Sequence, residues 1–247
     1  MLEVQSIHKS FKASGWLTGK PQKVLHDVSF HCLPGECLGI IGESGSGKST
    51  LGRLILGLDQ PDSGKVLFEG QPVSQAKVRR GNMSAVFQNY TSSMNPYFTV
   101  REALLEPFGL QSRKEEDRER RMKELLFQVG LSPAYLNKAP HELSGGEAQR
   151  VCIARAISTQ PKLIVMDEAV SSLDGSVQLQ VLELLKGLHK QLNTAYIFIT
   201  HDIQAAAFLC DRILVFRQGR IEENLHVSEL QHAQSDYTRT LLSMSMY

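Results

Sequence analysis

A glycine-rich segment in the first quarter of the chain has residue types and spacing suited to binding phosphate. It matches the pattern G-x-x-x-x-G-K-[ST], in which glycines let backbone N–H groups approach phosphate oxygens. Lys48 can set its ammonium group against the β- and γ-phosphates of a nucleotide, and the Ser49 hydroxyl can ligate Mg²⁺. A glycine turn without a ligand is the alternative, and the strand before and the helix after the segment disfavour it. The segment comprises Gly42, Glu43, Ser44, Gly45, Ser46, Gly47, Lys48, Ser49 and Thr50.

Two adjacent carboxylates, Asp167 and Glu168, follow the short apolar run 163–166. Successive side chains of a strand point to opposite faces of the sheet, so the two acids cannot share one role. One carboxylate can hold Mg²⁺ through water while its neighbour polarises an attacking water. Many strands end in Asp or Glu, so the pair alone is a weak indication of a catalytic site. It becomes a strong one because it follows a phosphate-binding segment.

A third segment, Ser144-Gly145-Gly146, precedes a predicted helix over 147–158. Backbone N–H groups at a helix N-terminus favour an anion, so this segment is a second candidate phosphate site. An ordinary serine N-cap is the alternative, and it would be preferred if the other two segments were absent.

The framework predicted from the hydrophobic pattern is α/β, because short apolar strands alternate with amphipathic helices. The predicted strands cover 36–42, 163–166 and 196–200, and a late hairpin covers 213–222. Two helices each have one predicted apolar face. These faces consist of Leu51, Leu54, Ile55 and Leu58 in the first helix, and of Val177, Val181, Leu184, Leu188 and Leu192 in the second.

The middle of the chain, 101–131, has no strand signals and is predicted to be a helical insertion. Ser112 and Glu115 fit a capping box, and a run of mixed charges follows over 113–124. The run is interpreted as the solvated face of a helix rather than as a nucleic-acid tail, because both signs alternate along it. The opposite, apolar face consists of Met122, Leu125, Leu126 and Val129.

Composition excludes several classes of protein. The chain has 247 residues and a formal net charge of +1, which argues against nucleic-acid binding through bulk positive potential. No apolar run approaches the roughly 20 residues of a membrane-spanning helix. The four cysteines include no C-x-x-C pair, so zinc or iron–sulfur ligation is unsupported and reduced thiols in a cytoplasmic protein are expected. No signal peptide is visible at the N-terminus.

Together these segments closely resemble the motifs of the nucleotide-binding subunits of ATP-binding cassette (ABC) transporters. Their order and spacing match along nearly the whole chain. Beyond the phosphate-binding segment and the acid pair, the match includes Gln88, the signature segment 143–147, the loop 172–174 and His201.

The resemblance implies a role for each of these residues in binding and hydrolysing ATP. Glu168 would be the general base, and His201 would hold the γ-phosphate and orient the attacking water. Gln88 would sense the γ-phosphate and Mg²⁺ and couple to the membrane subunits. Phe11 matches the aromatic residue on which the family stacks adenine, and Trp16 is a weaker match. The implied Mg²⁺ ligands are Ser49, Gln88 and Asp167, and the implied signature contacts are Ser144, Gly145 and Gly146.

The fold that the resemblance implies is α/β: a RecA-like P-loop NTPase core with an antiparallel β subdomain and an inserted α-helical subdomain. The core and β subdomain would comprise 1–88 and 160–247, and the helical subdomain would comprise 89–159. Two cassettes would stack head to tail, each signature closing the other's nucleotide site. The implied partners are a second, similar ATPase subunit (a homodimer being the alternative), two transmembrane permease subunits and an extracytoplasmic solute-binding protein, at the cytoplasmic face of the inner membrane.

Finer features resemble the peptide, nickel and opine importers within this family. They are the segment 92–96, the insertion 13–23 and the segment 237–242. Ala169-Val170 after the acid pair resembles the nickel-importing ATPases, so nickel or another metal, free or chelated, is the predicted solute. A dipeptide or oligopeptide is the alternative solute. A non-transport ABC ATPase and a small-molecule P-loop kinase are more remote alternatives.

Overall fold

The computed structural model describes residues 1–11, 21–88, 93–108 and 115–244. The chain forms two compact units, the first from Met1–Arg80 with Ala195–Tyr247 and the second from Gly81–Thr194. Two predicted residues lie outside the described ranges: Trp16, the weaker match for adenine stacking, and Ser112, the first residue of the predicted capping box. The functional boundaries at 88 and 160, which came from the family resemblance, stay a prediction.

Strands and helices alternate along most of the chain, as the α/β pattern predicts. The strands are β1 (Leu2–Phe11), β2 (Gln22–Cys32), β3 (Cys37–Ile41), β4 (Ser63–Phe68), β5 (Gln71–Pro72), β6 (Met83–Phe87), β7 (Leu163–Asp167), β8 (Ala195–Thr200), β9 (Arg212–Arg217) and β10 (Arg220–His226). The α-helices are α1 (Lys48–Ile55), α2 (Ala76–Arg79), α3 (Val100–Phe108), α4 (Glu115–Gln128), α5 (Gly145–Ile157), α6 (Gly175–Leu192), α7 (Ile203–Leu209) and α8 (Asp236–Met244). Three 3₁₀ helices cover Pro133–Asn137, Pro140–Glu142 and Val227–His232. Among the helices within the described ranges, none has the length and apolar composition needed to cross a bilayer.

The first unit contains an antiparallel sheet, ordered β2-β1-β4-β5, and a mainly parallel group of strands, ordered β10-β9-β3-β8. Strand β3 is buried along its whole length, as its continuous apolar sequence predicts. It runs parallel to both neighbours, with Ile41 opposite Thr200 of β8 and Val215 of β9. The carboxyl ends of these strands therefore lie at one edge of the sheet.

The apolar face predicted for the first helix is only partly right. Leu51, Leu54 and Ile55 are buried, but Leu58 is 55% exposed. The helix ends at Ile55, and the Leu58 N–H bonds back to the Arg53 carbonyl at 2.9 Å. This bond belongs to a Schellman-type helix end, which turns the chain before the expected face is complete.

The second unit contains the parallel strands β6 and β7, with Phe87 directly opposite Asp167. The apolar face predicted for helix α4 is confirmed, because Met122, Leu125 and Leu126 of the helix and Val129, directly after its end, are all buried. The apolar face predicted for helix α6 is partly wrong. Its buried residues are Val181, Leu182, Leu185 and Leu188, while Val177, Leu184 and Leu192 are only half-buried. The helix carries leucine at several adjacent positions, so its sequence is compatible with more than one apolar stripe.

All four cysteines are buried and form no disulfide in the described residues: they are Cys32, Cys37, Cys152 and Cys210. Their reduced state stays a prediction. Burial raises the pKa of the Cys32 thiol to about 12 and that of Cys152 to about 11. These two thiols are therefore protonated and poorly nucleophilic near neutral pH.

The predicted late hairpin is confirmed, since β9 and β10 pair in an antiparallel manner. Its turn residue Gly219 has φ +76° and makes two backbone contacts. The Gly219 N–H donates to the Ser46 carbonyl at 2.9 Å, and its carbonyl accepts from the His26 N–H at 2.8 Å. A Cβ at this position would overlap the Val24 carbonyl oxygen. The turn therefore links strand β2 to the phosphate-binding segment.

We expect Gly219→Ala to destabilise the protein more than Gly70→Ala. Gly70 has the same φ, but nothing lies within 4 Å of an added Cβ, so its cost should be about 1 kcal/mol. Gly219→Ala should cost about 3 kcal/mol, because the Val24 carbonyl must also move. Urea unfolding of both variants measures the difference. Equal losses of unfolding free energy would show that the turn tolerates a side chain.

Candidate active site

The phosphate-binding segment of the first unit, called here the phosphate loop (42–47), joins strand β3 to helix α1. Its first residue, Gly42, packs on the end of β9, where a Cβ would overlap the Phe216 carbonyl oxygen. Its last residue, Gly47, is the N-cap of α1, and a Cβ there would lie 3.0 Å from the Val24 carbonyl. The glycine spacing thus reflects two close approaches of neighbouring backbone. By contrast, nothing lies within 4 Å of a Cβ placed at Gly45.

Lys48, the first residue of α1, places a buried cation against the phosphate loop. Its side chain is 6% exposed, and Nζ donates to the Gly42 carbonyl at 2.7 Å and to the Glu43 carbonyl at 2.8 Å. The buried Ser46 Oγ has no hydrogen-bond partner among the described residues. An ammonium group, an unpaired hydroxyl and the start of helix α1 make a donor set that fits a phosphate group.

His201 lies at the same sheet edge as the phosphate loop, because the preceding Thr200 pairs with Ile41. Its side chain is exposed. The backbone around it is fixed by two side chains: the Thr200 Oγ1 accepts from the Asp202 N–H at 3.0 Å, and Asp202 caps helix α7. The structure therefore brings two of the predicted nucleotide-binding elements together in the first unit.

Phe11 ends strand β1 and is 43% exposed, as an aromatic residue that stacks on a base requires. The Lys9 ammonium lies 5.3 Å from the ring centroid and is held by the Gln60 carbonyl at 2.6 Å. The lysine contact restrains the ring while leaving part of its surface accessible. An exposed, restrained ring suits the predicted role of Phe11 in adenine stacking.

The second unit brings Gln88 and Glu168 to one sheet edge, because each directly follows one of the paired strands β6 and β7. Ser171 connects them. The Gln88 Nε2 donates to Ser171 Oγ at 3.3 Å, and Ser171 Oγ donates to the Glu168 carbonyl at 2.9 Å. Glu168 has φ +52°, a conformation that costs a non-glycine residue about 1–2 kcal/mol.

Sequence reasoning assigned no role to Ser171. A serine three residues after the acid pair was the available signal, but its link to Gln88 depends on the pairing of β6 with β7.

The predicted Mg²⁺ ligands belong to both units. Gln88 and Asp167 lie at the carboxyl edge of the β6–β7 pair in the second unit, and Ser49 lies in the first turn of α1 in the first unit. An amide oxygen, a carboxylate and a hydroxyl are oxygen ligands of the kind that Mg²⁺ prefers. The chemistry of this donor set therefore fits the ion.

The signature segment begins helix α5 with Ser144 as its N-cap. The Ser144 Oγ accepts from the Glu147 N–H at 3.4 Å, and the Glu147 carboxylate accepts from the Ser144 N–H at 2.8 Å. The Tyr135 hydroxyl also donates to Glu147 and, with the Ser144 N–H, lowers the pKa of that carboxyl. The serine N-cap that the sequence left open is thus present.

The two glycines of the signature are half-buried, while Ser144 is exposed. A Cβ at Gly146 would lie 2.5 Å from Val177 Cγ1, so this glycine lets α5 and α6 approach each other closely. The exposed Ser144 side chain and the N-terminal amides of α5 are groups that can bind an anion.

Comparison with known proteins identifies the family. The ABC transporter family model matches residues 25–171. The metal-staphylopine import system ATP-binding protein CntF of Staphylococcus aureus is 47% identical over 247 residues, covering 100% of this chain and 99% of the relative. The nickel import ATP-binding protein NikE of Escherichia coli is 43% identical over 237 residues, covering 93% of this chain and 88% of the relative.

Two solved structures of ATP-binding cassettes are similar to this chain along most of its length. The dimeric ATP-binding cassette MJ0796, bound to ADP and Pi, has a TM-score of 0.82 and 30% identity, covering 92% of this chain and 99% of that chain. The cassette cbiO1 of Clostridium perfringens has a TM-score of 0.80 and 25% identity, covering 98% of each chain. These similarities confirm the predicted RecA-like fold class. This chain therefore belongs to the ABC transporter family and is one of its ATP-hydrolysing cassettes.

Proposed function

We propose that this chain is the ATPase subunit of an ABC importer for nickel or another metal ion, free or chelated. The observation that carries the proposal is its similarity, over 93% or more of the chain, to proteins named for metal-staphylopine import and for nickel import. Ala169-Val170, which follows the acid pair, supports the same choice, because this departure from the usual sequence resembles the nickel-importing ATPases. A dipeptide or oligopeptide remains the alternative solute.

The proposed reaction is in-line attack of water on the γ-phosphorus of ATP, which breaks its bond to the β–γ bridging oxygen and releases ADP and phosphate. Glu168 accepts the proton of the attacking water, and His201 contacts the γ-phosphate. Lys48 meets the charge on the β- and γ-phosphates, and Phe11 stacks on adenine. Mg²⁺ held by Ser49, Gln88 and Asp167 would supply positive charge to the phosphate oxygens.

The link between Gln88 and the Glu168 backbone gives a physical route for coupling. Ser171 bonds to both residues, so a displacement of Gln88 is transmitted to the segment that carries the base. We therefore infer that Gln88 couples the membrane subunits to Glu168 through Ser171. This role is in addition to sensing the γ-phosphate.

We further propose that two cassettes pair head to tail, with Ser144, Gly145 and Gly146 of one subunit closing the phosphate loop of the other. Free energy of ATP binding closes the pair, and hydrolysis with product release reopens it. The partner is a second, similar ATPase subunit, with a homodimer as the alternative. Two permease subunits and an extracytoplasmic binding protein complete the importer, with this chain peripheral at the cytoplasmic face of the membrane.

Glu168→Gln should retain ATP binding and lower the rate of ATP hydrolysis by a factor of about 100 or more, because the amide cannot accept the proton of the attacking water. Phosphate release and equilibrium ATP binding measure the two quantities separately. Glu183→Gln, a change at an exposed carboxylate of α6, is the matched control. Hydrolysis by Glu168→Gln at the wild-type rate would show that Glu168 is not the general base.

The solute is tested by uptake in cells that carry either the wild-type chain or Glu168→Gln in place of their own copy. We expect uptake of radioactive nickel to be lost in the variant and uptake of a labelled tripeptide to be unchanged. The opposite result, with peptide uptake lost and nickel uptake intact, would show that the solute is a peptide and not a metal. The proposed ATPase mechanism would be unaffected.

A further inference from the structure

The side chain of Tyr237, in the C-terminal helix α8, contacts the phosphate loop. Tyr237 is 9% exposed, and its hydroxyl oxygen accepts from the backbone N–H of Glu43 at 3.3 Å. The family's motifs assign nothing to this tyrosine beyond its place in the segment 237–242. The contact joins residues almost two hundred positions apart, within the first unit.

The start of α8 is itself fixed to strand β10. The Glu223 carboxylate accepts from the Gln234 N–H at 2.7 Å and from the Ser235 N–H at 3.3 Å. The Ser235 Oγ accepts from the Tyr237 N–H at 3.2 Å. These bonds hold the tyrosine backbone, so its hydroxyl reaches the loop from an anchored position.

The tyrosine ring is held by the same strand end on which the loop packs. The Arg217 guanidinium lies 4.6 Å from the ring centroid, within the range of a cation–π contact. Arg217 directly follows Phe216, whose carbonyl oxygen abuts Gly42. Burial raises the pKa of the Tyr237 phenol, so the hydroxyl is protonated at neutral pH.

Residue 43 connects the tyrosine to the cation of the loop. The N–H of Glu43 donates to Tyr237, and its carbonyl accepts from Lys48 Nζ at 2.8 Å. A change in the orientation of the peptide groups of Glu43 would therefore disturb both bonds. The position of the ammonium group depends on the backbone that Tyr237 holds.

We propose that Tyr237 is a positioning residue: its hydroxyl holds the phosphate loop in the conformation that binds the phosphates of ATP. This inference rests on the proposed function, in which the loop binds ATP. Because coupling between two sites is reciprocal, ATP binding also tightens the docking of α8 on the loop. A tyrosine that only anchored the helix would affect stability without affecting nucleotide affinity.

The first test compares Tyr237→Phe with Thr240→Ala in the presence of Mg²⁺. The phenylalanine keeps the ring on Arg217 and removes only the hydroxyl. Thr240 is an exposed α8 residue whose hydroxyl bonds to the Asp236 carbonyl of its own helix. We expect Tyr237→Phe to raise the Kd for ATP and for ADP by the same factor, about three- to tenfold, as loss of one hydrogen bond does.

Thr240→Ala should match the wild type in its affinity for both nucleotides and in its turnover number at saturating ATP. A Tyr237→Phe chain that binds both nucleotides with wild-type affinity would overturn the inference. A wild-type chain that does not bind ATP would overturn the proposed function instead.

The second test needs no variant. Hydrogen exchange of the α8 amides in the wild-type chain should slow when ATP is added, by a factor similar to the change in Kd. Exchange of these amides that is the same with and without ATP would contradict the coupling, even if Tyr237→Phe failed to fold.

Discussion

The packing of the phosphate loop against the end of strand β9 is the constraint on which the rest of the structure depends. Gly42 lies against the Phe216 carbonyl, and the Gly219 N–H holds the Ser46 carbonyl two residues before Lys48. The loop backbone is thereby fixed at both ends by main-chain contacts that leave no room for side chains. A fixed loop presents its N–H groups and the Lys48 ammonium with little further loss of conformational entropy when phosphate binds.

The reactive residues of each unit gather for one topological reason. They directly follow parallel strands whose last residues pair, Ile41 with Thr200 in the first unit and Phe87 with Asp167 in the second. Parallel strands end at a common edge, and ligands of such sheets bind beyond that edge. Glu168 keeps a left-handed backbone there, a cost that the bonds from Ser171 to its carbonyl help to offset.

The parts of the fold and site that sequence could predict are those set by local pattern. The buried strands, the helix face of α4 and the glycine-rich loop all follow from short runs of residues. The exposure of Leu58 was missed because a helix end depends on backbone bonds that compete with the apolar period. The contacts of Ser171, Gly219 and Tyr237 were missed because each joins segments far apart in the chain, and no local spacing encodes such pairing.

The measurement that tests the account most directly is the equilibrium affinity of Lys48→Ala for ATP, compared with Lys65→Ala. Lys65 is an exposed lysine of strand β4, so its removal changes the net charge equally without touching the loop. The account predicts that Lys48→Ala raises the Kd for ATP by a factor of about 30 or more, as loss of a buried charge partner does, and that Lys65→Ala leaves it unchanged. Equal affinities for ATP in the wild-type chain and Lys48→Ala would contradict the claim that this loop binds the nucleotide.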